Sequence, residues 1–226
     1  LGTLTLVAAL SATTVGLLPS APASAAATSY AATGRVSVPT TGPAIAQALG
    51  NLSFIDQTGR FAAFTSTAAL DPADSNASGD AYIRDRVAGT TERVSLTDAD
   101  GQITGDSEAC GMSGDGRFVA FAGRGGGLPT PLVKQIYLRD RVLRTTQMVS
   151  VSSAEAPSAA SGGYYACPVS DNGRYVTFIS NDPLLAPGDA NGTLNDVFRR
   201  DLMGGVTDRA SVSTAGAKAN SAAQQP

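Results

Sequence analysis

The chain has 226 residues, enough for one or two domains, and charged residues make up only 15% of them. Its formal net charge of −3 leaves no electrostatic footprint for nucleic acid. The sequence contains no histidine, which excludes Ser-His-Asp and Cys-His catalysis and removes the commonest nitrogen ligand of zinc and copper. The composition therefore predicts a protein that does not bind nucleic acid.

Residues 1–25 predict a secretory signal peptide. The stretch from Leu1 to Leu18 is apolar, and Ala23-Ser24-Ala25 has the pattern of a cleavage site. An uncleaved anchor is the alternative, but polar residues and a proline interrupt the run before it could span a bilayer. We therefore expect a secreted or otherwise extracytoplasmic chain with a flexible mature N-terminus, residues 26–34, and no membrane span after cleavage.

A six-residue phrase recurs three times with a constant period. The copies are Gly59-Arg60-Phe61-Ala62-Ala63-Phe64, Gly116-Arg117-Phe118-Val119-Ala120-Phe121 and Gly173-Arg174-Tyr175-Val176-Thr177-Phe178. Their glycines are 57 residues apart in both intervals. A phrase that returns in register marks one supersecondary unit copied along the chain. The repeats span about 50–96, 108–151 and 165–213.

The first half of each repeat predicts a hairpin of two strands. The first strand is short and apolar, at Leu52–Ile55, Ala109–Met112 and Ala166–Val169. A tight turn follows, and its Asp115-Gly116 and Asn172-Gly173 dipeptides are typical of type I′ turns, in which both residues have positive φ. The second strand is apolar on both faces, as a strand buried on both sides would be, at Phe61–Phe64, Phe118–Phe121 and Tyr175–Ile179.

The second half of each repeat, after a variable loop, predicts two more strands. The third strand ends in Arg-Asp, at Ala81–Asp85, Ile136–Asp140 and Val197–Asp201. The fourth strand is predicted at Glu92–Leu96, Gln147–Val151 and Asp208–Val212. Four short antiparallel strands without helical periodicity predict an all-β fold in which each repeat is one β-propeller blade.

The combined pattern resembles the WD40-like (PD40) repeat of TolB-type β-propellers. It reads Ser-x-Asp-Gly-Arg-Phe-Val-Ala-Phe, then Asp-x-Tyr/Phe-x-Arg-Asp, then Thr-x-x-Val-Ser-Val. The best matches are Ser113–Phe121 with Tyr137–Asp140, and Ser170–Phe178 with Asp196–Asp201. The first copy departs from the pattern, with Asp56-Gln57-Thr58-Gly59 at its turn. The resemblance implies a β-propeller of four-stranded antiparallel blades.

Three recognisable blades are fewer than the four to eight of a typical propeller. Arg35-Val36-Ser37-Val38 matches a fourth strand without the rest of its blade, and Ala215 to Pro226 resembles the lead into another repeat. We therefore expect residues 35–226 to be part of a larger propeller. Assembly of several chains into one ring is the alternative.

The loops between second and third strands contain candidate calcium ligands in two of the three copies. These are Asp74, Asn76 and Asp80 in the first copy, and Asp189, Asn191 and Asp196 in the third. Oxygen ligands suit Ca²⁺, and an EF-hand loop begins with Asp-x-Asn. No closing glutamate follows, and the second copy has no acid between residues 123 and 135. The alternative is turn chemistry, in which these side chains bond their own backbone.

The two cysteines occupy equivalent positions in consecutive blades. Cys110 and Cys167 each precede their motif glycine by six residues, and Ser53 has that place in the first copy. In a propeller this first strand lies nearest the axis, where adjacent blades approach. We hypothesise a disulfide between the second and third blades, which requires Cα atoms within roughly 7 Å. Two separate buried thiols are the alternative.

The Arg-Asp pairs that end the third strands invite a catalytic interpretation, but a structural one is favoured. They are Arg84-Asp85, Arg139-Asp140 and Arg200-Asp201. Residues that serve the fold recur in every copy. We expect each aspartate to accept hydrogen bonds from turn amides and each arginine to pair with a neighbouring blade.

The resemblance implies a non-enzymatic binding module, without a cofactor other than calcium, for a protein, a carbohydrate or another cell-envelope ligand. The alternative is the propeller part of an extracellular hydrolase, either the gating domain of a prolyl-oligopeptidase-like enzyme or a glycosidase or lyase. Paired carboxylates outside the repeat and a Gly-x-Ser-x-Gly elbow would indicate chemistry. The sequence contains neither.

Overall fold

The computed structural model describes residues 34–42, 52–160, 166–188, 192 and 194–217. The predicted signal peptide and nearly all of 26–34 lie outside the described residues. Within these ranges no helix has the length and apolarity needed to cross a membrane. The strands are β1 Ser53–Ile55, β2 Phe61–Ser66, β3 Asp80–Asp85, β4 Thr90–Arg93, β5 Ser107–Met112, β6 Phe118–Gly123, β7 Gln135–Asp140, β8 Thr145–Met148, β9 Tyr175–Ser180, β10 Asp196–Asp201 and β11 Val206–Arg209.

The strands form three antiparallel sheets, one for each repeat. Blade one is β1-β2-β3-β4, blade two is β5-β6-β7-β8, and blade three is β9-β10-β11. The all-β fold class and the meander order of the strands are confirmed. The strand predicted at Ala166–Val169 is wrong in extent, because its described contribution is one isolated bridge between Val169 and Val176. The preceding residues, 161–165, lie outside the described ranges.

The second and third strands of each blade form the core, because they are covered on both faces. Stacked aromatic rings occupy the same cross-strand position in every blade. The pairs are Phe64–Tyr82, Phe121–Tyr137 and Phe178–Phe198, with ring centroids 6.1, 5.4 and 5.8 Å apart. One buried cluster joins blade one to blade two, and another joins blade two to blade three. The sheets therefore pack face to face, as propeller blades do.

The motif turns differ from the predicted type I′. Gly116 and Gly173 have φ of 71° and 68°, whereas Asp115 and Asn172 do not have positive φ. The Gly116 amide donates to the Ser113 carbonyl at 2.9 Å, which closes an ordinary turn with the glycine at its last position. The type I′ prediction is wrong because the dipeptide falls one position later in the turn than expected.

The fourth strands begin and end two or three residues earlier than predicted. In blade one, the Val94 and Ser95 amides both donate to the Ala81 carbonyl, so the chain leaves the ladder after Arg93. The Val149 and Ser150 amides do the same at Ile136 in blade two. The Val-Ser segments that looked like strand ends therefore start the connections to the next blade.

These connections are three similar hairpins, here called the connecting hairpins, at residues 94–101, 149–156 and 210–217. In the first, the Thr97 amide donates to the Gly101 carbonyl at 2.9 Å and the Asp100 amide donates to the Thr97 carbonyl at 3.0 Å. The same two bonds recur from Ser152 and from Ser213. Each blade thus ends in a preformed hairpin.

Candidate binding face

Each blade has two ends with different chemistry. Because Phe61 pairs with Asp85 in the ladder, the β1–β2 and β3–β4 turns lie at the same end of blade one. The motif turns of neighbouring blades also meet there, since the Gln57 amide donates to the Gly114 carbonyl and the Gly114 amide donates to the Asp171 carboxylate, both at 3.0 Å. We call this end the turn face, and the end with the β2–β3 loops the loop face.

On the turn face, the motif arginine clamps the aspartate at the end of the third strand. Guanidinium and carboxylate lie 2.5 Å apart in blade one and 2.6 Å apart in blades two and three. The pairs are Arg60–Asp85, Arg117–Asp140 and Arg174–Asp201. Each guanidinium also lies over the adjacent aromatic ring, 4.7 to 4.9 Å from its centroid. The phrase Gly-Arg-aromatic is therefore one structural unit.

The clamp changes the ionisation of the aspartates. Hydrogen bonding to Arg60 lowers the pKa of Asp85 to about 2, and the Arg174 guanidinium likewise lowers the pKa of Asp201. Both carboxylates are therefore ionised throughout the physiological range.

The same aspartate holds the β3–β4 turn in shape. Asp85 Oδ1 accepts hydrogen bonds from the Val87 and Ala88 amides, both at 2.9 Å. Asp140 and Asp201 accept the equivalent bonds in blades two and three, at 2.9 to 3.1 Å. This agrees with the expectation that the repeated aspartate bonds turn amides. The turn is thus fixed by a side chain that is itself fixed by the motif arginine.

The fixed turn presents an apolar side chain to solvent in every blade. The residue two positions after the clamped aspartate is Val87, Val142 or Met203, and these are 66%, 69% and 80% exposed. Leu143, next to Val142, is 66% exposed. Single exposed apolar residues are common, but the recurrence at one position of three blades makes an apolar rim on the turn face.

A groove runs between blades two and three on the turn face. It has a volume of about 260 Å³ and is lined on the blade-two side by Phe118 and Leu143, and on the blade-three side by Arg174 and Met203. The apolar rim therefore continues into an inter-blade depression. A groove with a mixed apolar and polar lining beside an exposed apolar rim is suited to binding another molecule.

The arginine before each clamped aspartate points instead toward the chain that precedes its blade. Arg139, which is 2% exposed, donates to the Thr97 carbonyl at 3.3 Å and pairs with Asp100 in the first connecting hairpin. Arg200 pairs in the same way with Glu155 in the second hairpin. The expected pairing with a neighbouring blade is therefore observed at these two positions.

The predicted calcium ligands of blade one make protein contacts. Asp74 accepts a hydrogen bond from the Tyr82 hydroxyl at 2.6 Å. The Asn76 side chain accepts from the Ser78 amide at 2.9 Å and donates to the Ile103 carbonyl at 2.6 Å. Asp80 accepts from the Ser95 hydroxyl at 2.6 Å. Asp74 and Asn76 thus lie in the β2–β3 loop and show the turn chemistry, whereas Asp80 is the first residue of β3.

A buried guanidinium lies among these acids. Arg93, which is 3% exposed, has a terminal nitrogen 3.4 Å from Asp74 and 4.0 Å from Asp80, and its Nε lies 3.6 Å from Asp71. Burial is the main cause that raises the pKa of Asp80 to about 6. Arg93 therefore supplies positive charge where a bound cation would otherwise do so.

Blades two and three show how this position varies. In blade three, Asp196 accepts from Ser211 at 2.7 Å and lies 3.3 Å from Arg209. In blade two, the equivalent residues are Gln135, which accepts from Ser150 at 2.5 Å, and Met148. The charged pairs of blades one and three, Asp80–Arg93 and Asp196–Arg209, are thus replaced in blade two by the neutral residues Gln135 and Met148. Asp189 and Asn191 lie outside the described residues, and calcium binding stays a prediction.

Cys110 and Cys167 form a disulfide between blades two and three, with Cα atoms 5.0 Å apart. The Cys167 amide donates to the Cys110 carbonyl at 2.5 Å. Gly111 makes this approach feasible, because a Cβ there would lie 1.9 Å from the Cys167 carbonyl oxygen. The first strand of blade two is therefore tied to the segment that precedes β9.

Two features of this arrangement were not predicted from the sequence. Val87, Val142 and Met203 each follow a repeated Arg-Asp by two residues, but they were not among the candidate site residues. Arg93 is 13 residues from Asp80 in the sequence but lies next to it across the β3–β4 sheet. A comparison of the three copies shows which positions are equivalent, but neither the exposure of a residue nor its neighbour on the adjacent strand.

No protein-family model and no curated protein sequence matches this chain. Solved structures do. A TolB-type protein from Agrobacterium tumefaciens aligns with a TM-score of 0.50 and 17% identity, over 78% of this chain and 50% of that one. TolB from Acinetobacter baumannii aligns with a TM-score of 0.41 and 17% identity, over 69% and 30% of the two chains. A prolyl endopeptidase aligns with a TM-score of 0.38 and 13% identity, over 74% and 22%.

The first of these likenesses, together with the three stacked blades, defines the fold as a TolB-like β-propeller. The chain spans about half the length of that neighbour. Because one fold supports many functions, the function has to be argued from the surface of this chain.

Proposed function

We propose that the chain is a non-enzymatic β-propeller module that binds a protein partner through its turn face. The observation that carries this proposal is the apolar rim of Val87, Val142 and Met203, each held outward by a clamped turn. A turn that is already rigid loses little backbone conformational entropy when a partner buries the side chain that the turn carries. The apolar character of the rim favours a protein over a carbohydrate as the ligand.

The non-enzymatic assignment rests on what the recurring charged residues do. The motif arginines and the strand-end aspartates neutralise each other, and the buried arginines of the third strands bond connecting hairpins. A catalytic acid requires a pKa near the working pH, whereas the clamps lower the pKa values of Asp85 and Asp201. These residues therefore support a scaffold.

The extracytoplasmic part of the proposal rests on the disulfide and on the predicted signal peptide. Disulfides persist in oxidising compartments and are rare in the cytosol. The link between Cys110 and Cys167 is buried, with both residues at most 1% exposed. We therefore place the module in the cell envelope or outside the cell.

The test compares two exposed apolar residues on opposite faces. Immobilised protein is incubated with envelope proteins of the source cells, and captured partners are quantified by mass spectrometry. Val142→Asp on the turn face should reduce capture at least about tenfold, because burial of one aliphatic side chain contributes about 1.5–3 kcal/mol. Leu132→Asp, in the β6–β7 loop on the loop face, alters a residue that is 92% exposed and should leave capture unchanged.

Equal capture by wild type and Val142→Asp would rule out the turn face as the binding surface. Turnover of peptide or glycoside substrates by the purified wild-type chain would rule out the non-enzymatic assignment. The two outcomes are independent, so each part of the proposal stands or fails separately.

A further inference from the structure

The residue after each clamped aspartate is an arginine in blades one and two and a leucine in blade three. Arg86 and Arg141 each donate to the carbonyl of the motif glycine in their own blade, at 2.9 and 2.7 Å. These two glycines are Gly59 and Gly116. Leu202, at the equivalent position of blade three, has no donor in its side chain. Among the described residues, no side chain therefore donates to the Gly173 carbonyl.

Arg141 also fills the interface between blades one and two on the turn face. Its guanidinium bonds the Glu92 carboxylate of blade one at 2.8 Å and lies 4.9 Å from the centre of the Phe61 ring. The Arg141 side chain is only 17% exposed as a result. A carbonyl, a carboxylate and an aromatic ring together therefore form a site for one guanidinium, and the chain's own arginine occupies it.

The groove between blades two and three is the equivalent site without an arginine. Its lining includes the counterparts of all three partners of Arg141, namely Phe118, Gln147 and Gly173. Leu202 also lines the groove, in the place of the arginine, and its shorter side chain packs against the buried cluster of blades two and three. The groove therefore lies where the first interface holds a guanidinium.

The charged groups around the groove are already neutralised. Asp140 and Arg174 line it, and each is clamped within its own blade, to Arg117 and to Asp201, at 2.6 Å. The first interface has the same two clamps at equivalent positions and still accommodates Arg141. A further cation in the groove therefore meets two neutral pairs, with the Gln147 amide in place of a carboxylate.

We propose that the groove between blades two and three binds an arginine side chain of the protein partner. The guanidinium donates to the Gly173 carbonyl and to the Gln147 side-chain oxygen, and it lies against the Phe118 ring. Arginine suits the site better than lysine, because a planar guanidinium can stack on a ring while its edge donates hydrogen bonds. This inference rests on the proposed binding through the turn face and specifies the chemistry of one contact within it.

The test titrates N-acetyl-arginine amide into the full chain, with its disulfide intact, and follows backbone amide signals by NMR. The Arg174 amide shares a peptide group with the Gly173 carbonyl, so its signal should shift with a saturable dependence on the probe. The Arg117 amide should not shift, because Arg141 already bonds the Gly116 carbonyl beside it. N-acetyl-norleucine amide, which has an apolar stem and no guanidinium, should bind at least about tenfold more weakly.

Two leucine-to-arginine substitutions provide the matched comparison. Leu202→Arg supplies the guanidinium from the chain itself and should weaken probe binding at least about tenfold, because an intramolecular group competes at a high effective concentration. Leu132→Arg introduces the same side chain on the loop face, at a residue that is 92% exposed, and should leave probe binding unchanged. The urea unfolding midpoint of each variant shows that it is folded.

Three results would each overturn the proposal: no saturable shift of the Arg174 amide, equal binding of the norleucine probe, or unchanged binding by folded Leu202→Arg. The outcome is distinguishable from that of the turn-face test. Loss of partner capture by Val142→Asp without probe binding would overturn the arginine site alone. Probe binding with full capture by Val142→Asp would support the arginine site and overturn the turn face as the partner's binding surface.

Discussion

The ring of Phe61 in blade one lies against Gly116 in blade two, so closely that a Cβ at Gly116 would be 2.5 Å from the ring. Phe118 and Gly173 repeat this contact between blades two and three, at 2.6 Å. The Arg141 guanidinium of blade two also lies 4.9 Å from the centre of the Phe61 ring. Two residues of one six-residue phrase therefore meet across every described blade interface. The phrase encodes the stacking of blades as well as the turn.

Removal of the disulfide should destabilise the chain without changing its blades. Cys110 and Cys167 close a loop with a sequence separation of 57 residues. The loop-closure relation gives roughly 4 kcal/mol for a loop of this size. We expect Cys110→Ser/Cys167→Ser to lose about this much free energy of unfolding in urea titrations, and wild type with reductant to match it. Two free thiols in denatured, unreduced wild type would contradict the assignment.

Arg93 should be needed for the stability of the fold only while the carboxylates around it are present. Arg93→Met leaves Asp71, Asp74 and Asp80 without their guanidinium and should lower the free energy of unfolding by about 3–5 kcal/mol. The double variant Asp80→Gln/Arg93→Met recreates the neutral pair Gln135 and Met148 of blade two. It should be more stable than Arg93→Met alone. Strictly additive effects of the two substitutions would show that the pair is not coupled.

Asp80 should make stability fall as pH rises from about 4 to about 6. Burial raises its pKa from 3.8 to about 6 in the folded state, so the folded chain binds this proton more tightly than the unfolded chain. The stabilisation is complete below pH 3.8 and is lost as the pH passes 6; the difference amounts to about 3 kcal/mol. Unfolding of wild type and Asp80→Asn should therefore diverge across this window. Parallel pH profiles would contradict the assignment.

Asp85 should make stability fall as the pH is lowered, which is the opposite of the effect of Asp80. Its pKa is lowered to about 2 by Arg60, so its contribution to stability is present above the unfolded value of 3.8 and is lost as pH falls through 2. Wild type and Arg60→Met should differ in free energy of unfolding at pH 6 and converge near pH 2. A constant difference over that range would show that the clamp acts by packing alone.

Chelation should leave the melting temperature unchanged. Arg93 already supplies a positive charge to Asp74 and Asp80, and Asn76 is used in a backbone turn. The expected result is the same midpoint in calorimetry with EDTA and with added Ca²⁺. A lower midpoint in EDTA that recovers on addition of Ca²⁺ would instead establish a calcium site, and Asp189→Asn would then test the loop of blade three.

The repeat made the sheets predictable, including where the first copy departs from the pattern. At Asp56-Gln57-Thr58-Gly59, acid and hydroxyl have exchanged places relative to Ser113 and Asp115. Thr58 donates to the Asp56 carboxylate at 2.5 Å, and Asp56 accepts the Phe61 amide at 2.7 Å. In blade two, the Ser113 hydroxyl donates to Asp115 and accepts the Phe118 amide. The two sequences form the same turn, so the departure of the first copy from the repeat pattern does not change the structure.

What the sequence could not predict depends on contacts between elements. The end of β4 is set by two amides that share the Ala81 carbonyl, although the apolar pattern continues through Val94. The environment of Asp80 depends on Arg93 on the adjacent strand, which spacing along the chain does not reveal. The exposure of Met203 follows from the clamp between Arg174 and Asp201, whereas hydrophobicity alone predicts burial. The local sequence pattern predicts which segments are strands, whereas these three features depend on contacts between segments.

A comparison of Gly116→Ala with Gly59→Ala in urea unfolding tests whether the repeated phrase stacks one blade upon the next. Both glycines have similar left-handed backbones, with φ of 71° and 74°, but a Cβ at Gly59 would find its nearest atoms at 3.9 Å, whereas at Gly116 it would meet Phe61. Gly59→Ala should cost only the backbone strain, about 1–2 kcal/mol. Gly116→Ala should cost at least about 2 kcal/mol more. Equal losses in the two variants would contradict the claim that the repeated phrase stacks one blade upon the next.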